Sequence, residues 1–374
     1  MFYVLLFVML IVIQWIACLC ITESCMSRLK VKNLSTYESI KKIHRKRYCV
    51  IVCAEIILFT GLRALNVGAD NSTYLAALTY YKELPHNRII TAKLVYPFDF
   101  EAGYFLLTKL CAYLRFSQTG FLFVIAVLTY IPLFAFINKY SLNPLISILT
   151  YFAFGFFTYS IGLFRQMIAI SICLSAIPLI KEKKWFKYCL VCVVASLFHL
   201  TSLIMVPFYW LARFDVKKHK RLFLLLVVAA EAICFVFARS IIIAILRFIP
   251  SYAGYIGGKY DVQGGSYLGL IYLNLLLFLG VFLVAPRVER SEVFPVVAIA
   301  VACIIQSCAY SMGIMGRLVN FYSVYGIILF PLIAEKFAKE KMITNAGVII
   351  ALLGLAVLTT SSDAVILGYK FIWS

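Results

Sequence analysis

Residues Tyr188 to Leu211, YCLVCVVASLFHLTSLIMVPFYWL, form an apolar run between two strongly basic segments. Lys181, Lys183, Lys184 and Lys187 precede it, and Arg213, Lys217, Lys218, Lys220 and Arg221 follow it. The run is long enough to cross a bilayer once, which takes roughly 20 residues. A single crossing would place one of the basic segments outside, against the bias that keeps short basic loops in the cytoplasm. The alternative is a broken pair of short helices that enters from the cytoplasm and turns near Phe198, His199, Leu200, Thr201 and Ser202, where polar groups cluster. Irregular backbone at that depth is tolerated only where protein or a water-filled cavity covers it. The run therefore predicts a helical membrane protein in which some segments are re-entrant or broken.

The rest of the chain agrees in class. Hydrophobic residues make up 64% and charged residues only 14%, with a mean hydropathy of +0.97; a soluble domain carries about a quarter charged residues. The apolar runs are mostly roughly 16 to 25 residues long, and none alternates like a barrel strand. The expected fold is all-α, a polytopic integral membrane helical bundle of about 10 to 12 segments. We read residues 1–374 as a single transmembrane domain, with extracytoplasmic loops 61–103 and 247–266 over the active-site face. The net charge of +19 sits mainly in short loops beside apolar runs, so membrane orientation accounts for it and no nucleic-acid partner is expected. The 12 cysteines fall almost entirely in apolar runs. Cys189 and Cys192 have metal-like spacing but no second pair, and no metal site is expected. The first 21 residues lack a basic start and a small-residue cleavage site and are read as a retained first span.

Charge sets the expected topology. Thr22 to Arg47 carries Arg28, Lys30, Lys32, Lys41, Lys42, Arg45, Lys46 and Arg47 against Glu23 and Glu38, and reads as cytoplasmic. Tyr48 to Leu62 then leads outward to Gly61 to Gly103, where Asp70, Glu83, Asp99 and Glu101 balance Arg63, Lys82, Arg88 and Lys93. A connecting loop needs only a few residues, so a polar interlude of this length points to function. Within it Asn71 to Leu84 predicts a short interfacial helix capped by Ser72 or Asn71, with Asp70 near its positive end. Tyr104 to Phe116, which contains Lys109, is too short to span, whereas Gly120 to Ile137 and Leu145 to Gly162 are full length. Beyond the basic pair, Leu222 to Leu246, Tyr267 to Ala285, Val293 to Tyr310, Leu318 to Ala334 and Val348 to Leu358 alternate to an external C-terminus.

This parity brings Arg63, Arg165 with Gln166, and Arg317 to the outer face from three segments. A guanidinium at a helix N-terminus suits a phosphate, which it can meet with two parallel donors; each arginine also has the alternative of an interfacial anchor. Asp70 and Glu101 are candidate general bases for a sugar hydroxyl, or partners of neighbouring arginines. His199 is the one histidine of four inside an apolar run, a candidate catalytic group at the helix break or a packed, hydrogen-bonded one. Tyr74 and Tyr255 are candidate contacts to the substrate; for the tyrosines around 252 to 267 an interfacial aromatic belt is the alternative.

Several of these residues carry a resemblance. Gly61-Leu62-Arg63, then Val67-Gly68-Ala69-Asp70 and Tyr74, then Phe100-Glu101-Ala102-Gly103-Tyr104, Phe164-Arg165-Gln166, Phe198-His199, and Arg317 with Tyr322 resemble the EpsG family, from about residue 50 to 335. Where that family often has Thr before the Asp and Pro after the acid, this chain has Ala69 and Ala102. The family includes Wzy-type polymerases of bacterial exopolysaccharide and O-antigen repeat units. The acid-bearing first outer loop and the paired short helices also resemble the wider GT-C class of membrane glycosyltransferases. The resemblance implies a polymerase in the bacterial inner membrane with its active site facing the periplasm or exterior. Donor and acceptor would be polyprenyl-pyrophosphate-linked oligosaccharides, with membrane lipid around the chain and a flippase and chain-length regulator as partners. Arg63, Arg165, Gln166, Arg317, Tyr74 and Tyr255 would bind substrate, and Asp70, Glu101 and His199 would carry the chemistry. Pyrophosphate leaves once its charge is neutralised, so the reaction asks for no cofactor. The competing readings are a flippase or transporter of lipid-linked sugar, for which the chain lacks evident inverted halves, and a membrane O-acyltransferase built on His199.

Overall fold

The computed structural model describes residues 2–28, 34–93, 98, 100–247, 267–309, 311–337, 341–362 and 364–373. In chain order the helices are α1 (Phe2–Arg28), α2 (Leu34–Gly61), α3 (Asn71–Glu83), the short α4 (His86–Ile89), α5 (Ala102–Tyr113), α6 (Gln118–Tyr140), α7 (Pro144–Ala153), α8 (Phe156–Gly162) and α9 (Phe164–Ser175). They continue as α10 (Ile177–Lys181), α11 (Trp185–Ser196), a 3₁₀ segment Leu200–Met205, α12 (Phe208–Leu211), α13 (Lys220–Arg247) and α14 (Tyr267–Leu279). The last are α15 (Phe294–Ala309), α16 (Gly316–Ser323), α17 (Gly326–Phe337), α18 (Lys341–Ser362) and α19 (Ala364–Leu367). Among the described residues there is no strand, only an isolated antiparallel bridge between Arg63 and Phe371. The protein is an all-α, polytopic membrane protein.

Five helices among the described residues are long and apolar enough to cross a bilayer: Phe2–Cys25, Gln118–Tyr140, Phe164–Lys181, Lys220–Ala244 and Tyr267–Val284. Two bent pairs raise the number to seven if each is one span. The first, α7 with α8, is bent by 65° within the stretch Leu145 to Gly162 that the sequence predicts as a full-length span. The bend falls at Gly155, whose φ of +75° is the left-handed conformation that ends α7. The second, Gly316–Ser323 with Gly326–Glu335, is bent by 48°. The basic segment and the span after it are one continuous helix, α2, from Leu34 onward. At α3 the cap differs from expectation: Asp70 is the cap residue and Asn71 lies inside the first turn. Asn71 is fully buried, and its amide donates to the Val67 carbonyl.

The chain forms two compact units. The first comprises Met1–Ile177, Leu190–Ser202 and Asn345–Ser374, and the second Pro178–Cys189 and Leu203–Thr344. In the first, α6 packs along α2 and α9, and α3 packs on α5. Ser117 caps α6 by accepting from Gly120 N at 3.0 Å. Arg45 closes its other end by donating to the Ser141 carbonyl at 3.0 Å and the Asn138 carbonyl at 2.6 Å, a cation on the negative end of a helix. The C-terminal residues dock at the end of α2: Ala64 N donates to Lys370 O at 2.8 Å, Ile372 N to Leu62 O at 2.9 Å, and the Tyr369 hydroxyl to Phe59 O at 2.6 Å. In the second unit, α15 packs against α13, α14 and α16.

The polar interlude folds into its own apolar core. Tyr74, Leu78, Tyr81, Ile89, Phe100 and Tyr104 close on Phe121 of α6 and Phe164 of α9, and each fully buried large side chain of this kind is worth roughly 1.5–3 kcal/mol. Lys109 is buried inside the short α5 and donates to the carbonyls of Ile90 and Ala92. It ties the segment after α4 to α5.

The stretch 188 to 211 turns back on itself. α11 ends at Ser196, and the chain winds through 3₁₀ geometry before Pro207 and α12. Within the second unit the Tyr188 hydroxyl donates to Met205 O at 2.9 Å; in a straight helix those residues would be about 25 Å apart. Within the first, the Ser202 hydroxyl reaches back to Cys192 O at 3.4 Å. The break falls where His199, Thr201 and Ser202 supply polar groups.

Candidate active site

Glu101 opens α5 but does not cap it. Glutamate is a poor N-cap, and its side chain makes no hydrogen bond to the first turn of its own helix. That duty passes to the turn after α11: Leu197 O accepts Gly103 N at 2.7 Å and Tyr104 N at 3.2 Å. A Cβ on Gly103 would lie 2.8 Å from Leu197 Cβ and 2.9 Å from its carbonyl oxygen. Only glycine lets the two backbones approach this closely.

The Glu101 carboxylate faces the other way and gathers three donors. Its Oε2 accepts Arg165 Nη1 at 2.6 Å. Its Oε1 meets His199 Nδ1 at 3.1 Å and accepts Leu200 N at 3.2 Å. The side chains of Arg165, Glu101 and His199 are 26%, 17% and 14% exposed, so the cluster is mostly enclosed with one edge open. Burial raises the Glu101 pKa, but the His199 hydrogen bond and the charges of Arg165 and His199 outweigh it and hold the carboxyl down at about 2. Glu101 is thus a fixed anion, strongly engaged and weakly basic.

Arg165 enters from the first turn of α9, and its guanidinium lies over the Phe100 ring at 5.3 Å. The Tyr74 ring stacks on Phe164 at 4.7 Å, and the Tyr74 hydroxyl is within hydrogen-bond reach of Arg165. Gln166, the next residue of α9, is buried. Asp70 lies half-buried just before α3, within electrostatic range of Tyr74, as Glu101 is. Among the described residues its carboxylate makes no hydrogen bond or ion pair.

The structure thus brings Glu101, His199, Arg165 and Tyr74 together and sets Asp70 beside them. Arg63 is placed differently. It is 2% exposed, its guanidinium donates to the carbonyls of Thr60, Val67 and Ile161, and it lies 5.3 Å over the Phe164 ring. A guanidinium committed to three backbone carbonyls is an internal tie, and the ligand role expected for Arg63 does not fit this placement. Arg317 belongs to the second unit, half-buried in the first turn of α16. In that unit the Tyr322 hydroxyl donates to Ile204 O. Tyr255, most of loop 247–266 (residues 248–266) and Asp99 lie outside the described residues. Sequence reasoning missed the Leu197 carbonyl and the need for glycine at 103. A glycine in the first turn of a short helix, opposite a predicted helix break, was the available signal.

Among the described residues no group of histidine, cysteine and acidic side chains is arranged to hold a metal. All 12 cysteines are free thiols.

The fold is that of a multi-pass membrane protein, and its half-buried arginine–glutamate–histidine cluster is assembled from the first turns of two helices and a helix break. The EpsG family model matches residues 46–372, and the chain belongs to the EpsG family. That family is Wzy-type polymerase-like, which makes this a polysaccharide-polymerase-like, glycosyltransferase-like membrane protein. No curated protein and no solved structure matches the chain.

Proposed function

We propose that the chain joins polyprenyl-pyrophosphate-linked oligosaccharide repeat units into O-antigen or exopolysaccharide, on the extracytoplasmic face of the bacterial inner membrane. Family membership supports polymerisation, and the observation that carries the site is Arg165. Its guanidinium is fixed on one side by Glu101 at 2.6 Å and remains 26% exposed, held in the first turn of α9. A pre-positioned guanidinium at a helix N-terminus suits the oxygens of a pyrophosphate leaving group. The rings beside it, Phe100, Tyr74 and Phe164, are buried and hold the arginine in place from behind.

In the reaction an acceptor hydroxyl oxygen bonds to the anomeric carbon of the donor. The bond from that carbon to the pyrophosphate oxygen breaks with its electron pair staying on the pyrophosphate, and the hydroxyl proton goes to a base of the cluster. Arg165 neutralises the charge that develops on the leaving group. Purified protein in proteoliposomes, given lipid-linked repeat units, should convert them to a ladder of longer chains and release polyprenyl pyrophosphate. Movement of the units across the bilayer without chain growth would refute the polymerase reading and favour a flippase.

A further inference from the structure

Arg63 is buried, and among the described residues no carboxylate lies within ion-pair distance of its guanidinium. A cation enclosed in this way is costly, and good hydrogen bonds must offset the loss of water. Its donors go to three separate stretches of backbone. Nη1 donates to Thr60 O near the end of α2, Nε to Val67 O at 3.2 Å and Nη2 to Ile161 O, in the last turn of α8, at 3.5 Å. Val67 O also accepts the Asn71 amide, so the guanidinium and the first turn of α3 share one acceptor. The two tied segments touch directly: a Cβ on Gly68, whose φ is +127°, would collide with Ile161 O, and one on Gly162 would lie 3.4 Å from Ala69 N.

Both segments lead into the site, the first into Tyr74 of α3 and the second into Phe164 and Arg165 of α9. Phe164 joins them: its ring lies 5.3 Å from Arg63 Cζ and stacks on Tyr74 at 4.7 Å, and the Tyr74 hydroxyl is within hydrogen-bond reach of Arg165. We infer that Arg63 is a positioning residue for chain growth: by tying the turn before α3 to the end of α8, it sets where Phe164 and Tyr74 hold the Arg165 guanidinium against the pyrophosphate. The inference rests on the polymerase reading and gives that reaction a residue that acts without meeting substrate. The tie needs a planar fork, whose five donors leave in fixed directions. A lysine at this position keeps the charge, but its donors radiate from one atom and cannot serve carbonyls on three sides.

A double-mutant cycle reads the coupling, with kcat taken from polyprenyl-pyrophosphate release in proteoliposomes and normalised to folded protein. Arg63→Lys should lower kcat about tenfold to a hundredfold with little change in KM, because a small displacement of Arg165 weakens its hold on the leaving group. In an Arg165→Lys background the same substitution should cost less than about threefold, since the group it positions is already gone. Losses that multiply across the two backgrounds would overturn the inference, as would an Arg63→Lys protein that melts early but keeps wild-type kcat. If Arg63→Lys does not fold, Phe164→Leu carries the same cycle: it leaves the three carbonyl bonds in place and removes the ring between Arg63 and Tyr74, and multiplying losses there overturn the inference equally. A wild-type protein that makes no polymer under these conditions fails the polymerase reading itself, whereas a polymerising wild type with multiplying losses fails only this assignment.

Discussion

Glu101→Gln keeps the shape of the side chain and removes its charge, so it asks how much the cluster depends on an anion at that point. Lowering a carboxyl from its ordinary 4.5 to about 2 stabilises the folded state by on the order of 3 kcal/mol at neutral pH. At 17% exposure solvent screening takes little of this away. The amide oxygen keeps one acceptor, so the variant should lose somewhat less than that, and its detergent-solubilised form should melt several degrees below the wild type at pH 7. The sign of the pH dependence follows from the direction of the shift. A depressed carboxyl stabilises the fold above its unfolded pKa near 4.5, and the contribution fades as pH falls toward about 2. The gap in melting temperature between wild type and Glu101→Gln should therefore close progressively as pH falls below about 4.5. A gap that stays constant down to pH about 2.5 would refute the reading of Glu101 as a fixed anion.

Arg165→Lys keeps the charge but offers a point ammonium in place of a planar fork, and should cost about 1.5–3 kcal/mol in the transition state, a rate loss of roughly tenfold to hundredfold in the polymerisation assay; full activity at normal expression would reduce Arg165 to an anchor. Gly103→Ala drives a methyl against the Leu197 backbone and should lower stability by about 1–3 kcal/mol together with activity. Gly354→Ala, where a Cβ meets nothing within 4 Å, serves as its neutral control, and equal behaviour of the two in thermal melts would remove the close-approach argument. Reporter fusions active only outside the cytoplasm should be silent near Lys42 and active near Arg88; the reverse pattern would overturn the orientation.

The fold class was legible because it depends on local quantities. Hydropathy marks apolar helices wherever they occur, and the two basic segments around Tyr188 to Leu211 exposed a break that hydropathy alone would have smoothed into one span. The bend at Gly155 escaped the same reading, since a glycine within an apolar run is compatible with a straight membrane helix. Within the site, Arg165, Glu101 and His199 were each visible as polar residues in unusual places. Their partnership was not, because Arg165 and Glu101 are 64 residues apart and His199 and Glu101 are 98 apart. No periodicity encodes such a pairing. Arg63 shows the same limit from the other side: by sequence it is an arginine at the outer end of a helix, and only the positions of the Thr60, Val67 and Ile161 carbonyls reveal that its donors are turned inward.

The energetics of the cluster bear on why it is there. Enclosing a carboxylate, a guanidinium and an imidazole costs several kcal/mol of desolvation, which mutual attraction offsets only with near-ideal geometry. Packing such a site with apolar side chains of similar volume is often neutral or stabilising, and the surrounding Phe100, Tyr104, Phe121 and Phe164 already supply an apolar core. Stability alone therefore gives little reason to keep three polar groups here, or to hand the capping of α5 to a carbonyl from a distant segment so that Glu101 can turn toward Arg165 and His199. The arrangement makes sense as pre-organisation. In the proposed reaction the Arg165 guanidinium, fixed by Glu101 before substrate arrives, would not have to be ordered again as charge develops on the leaving group.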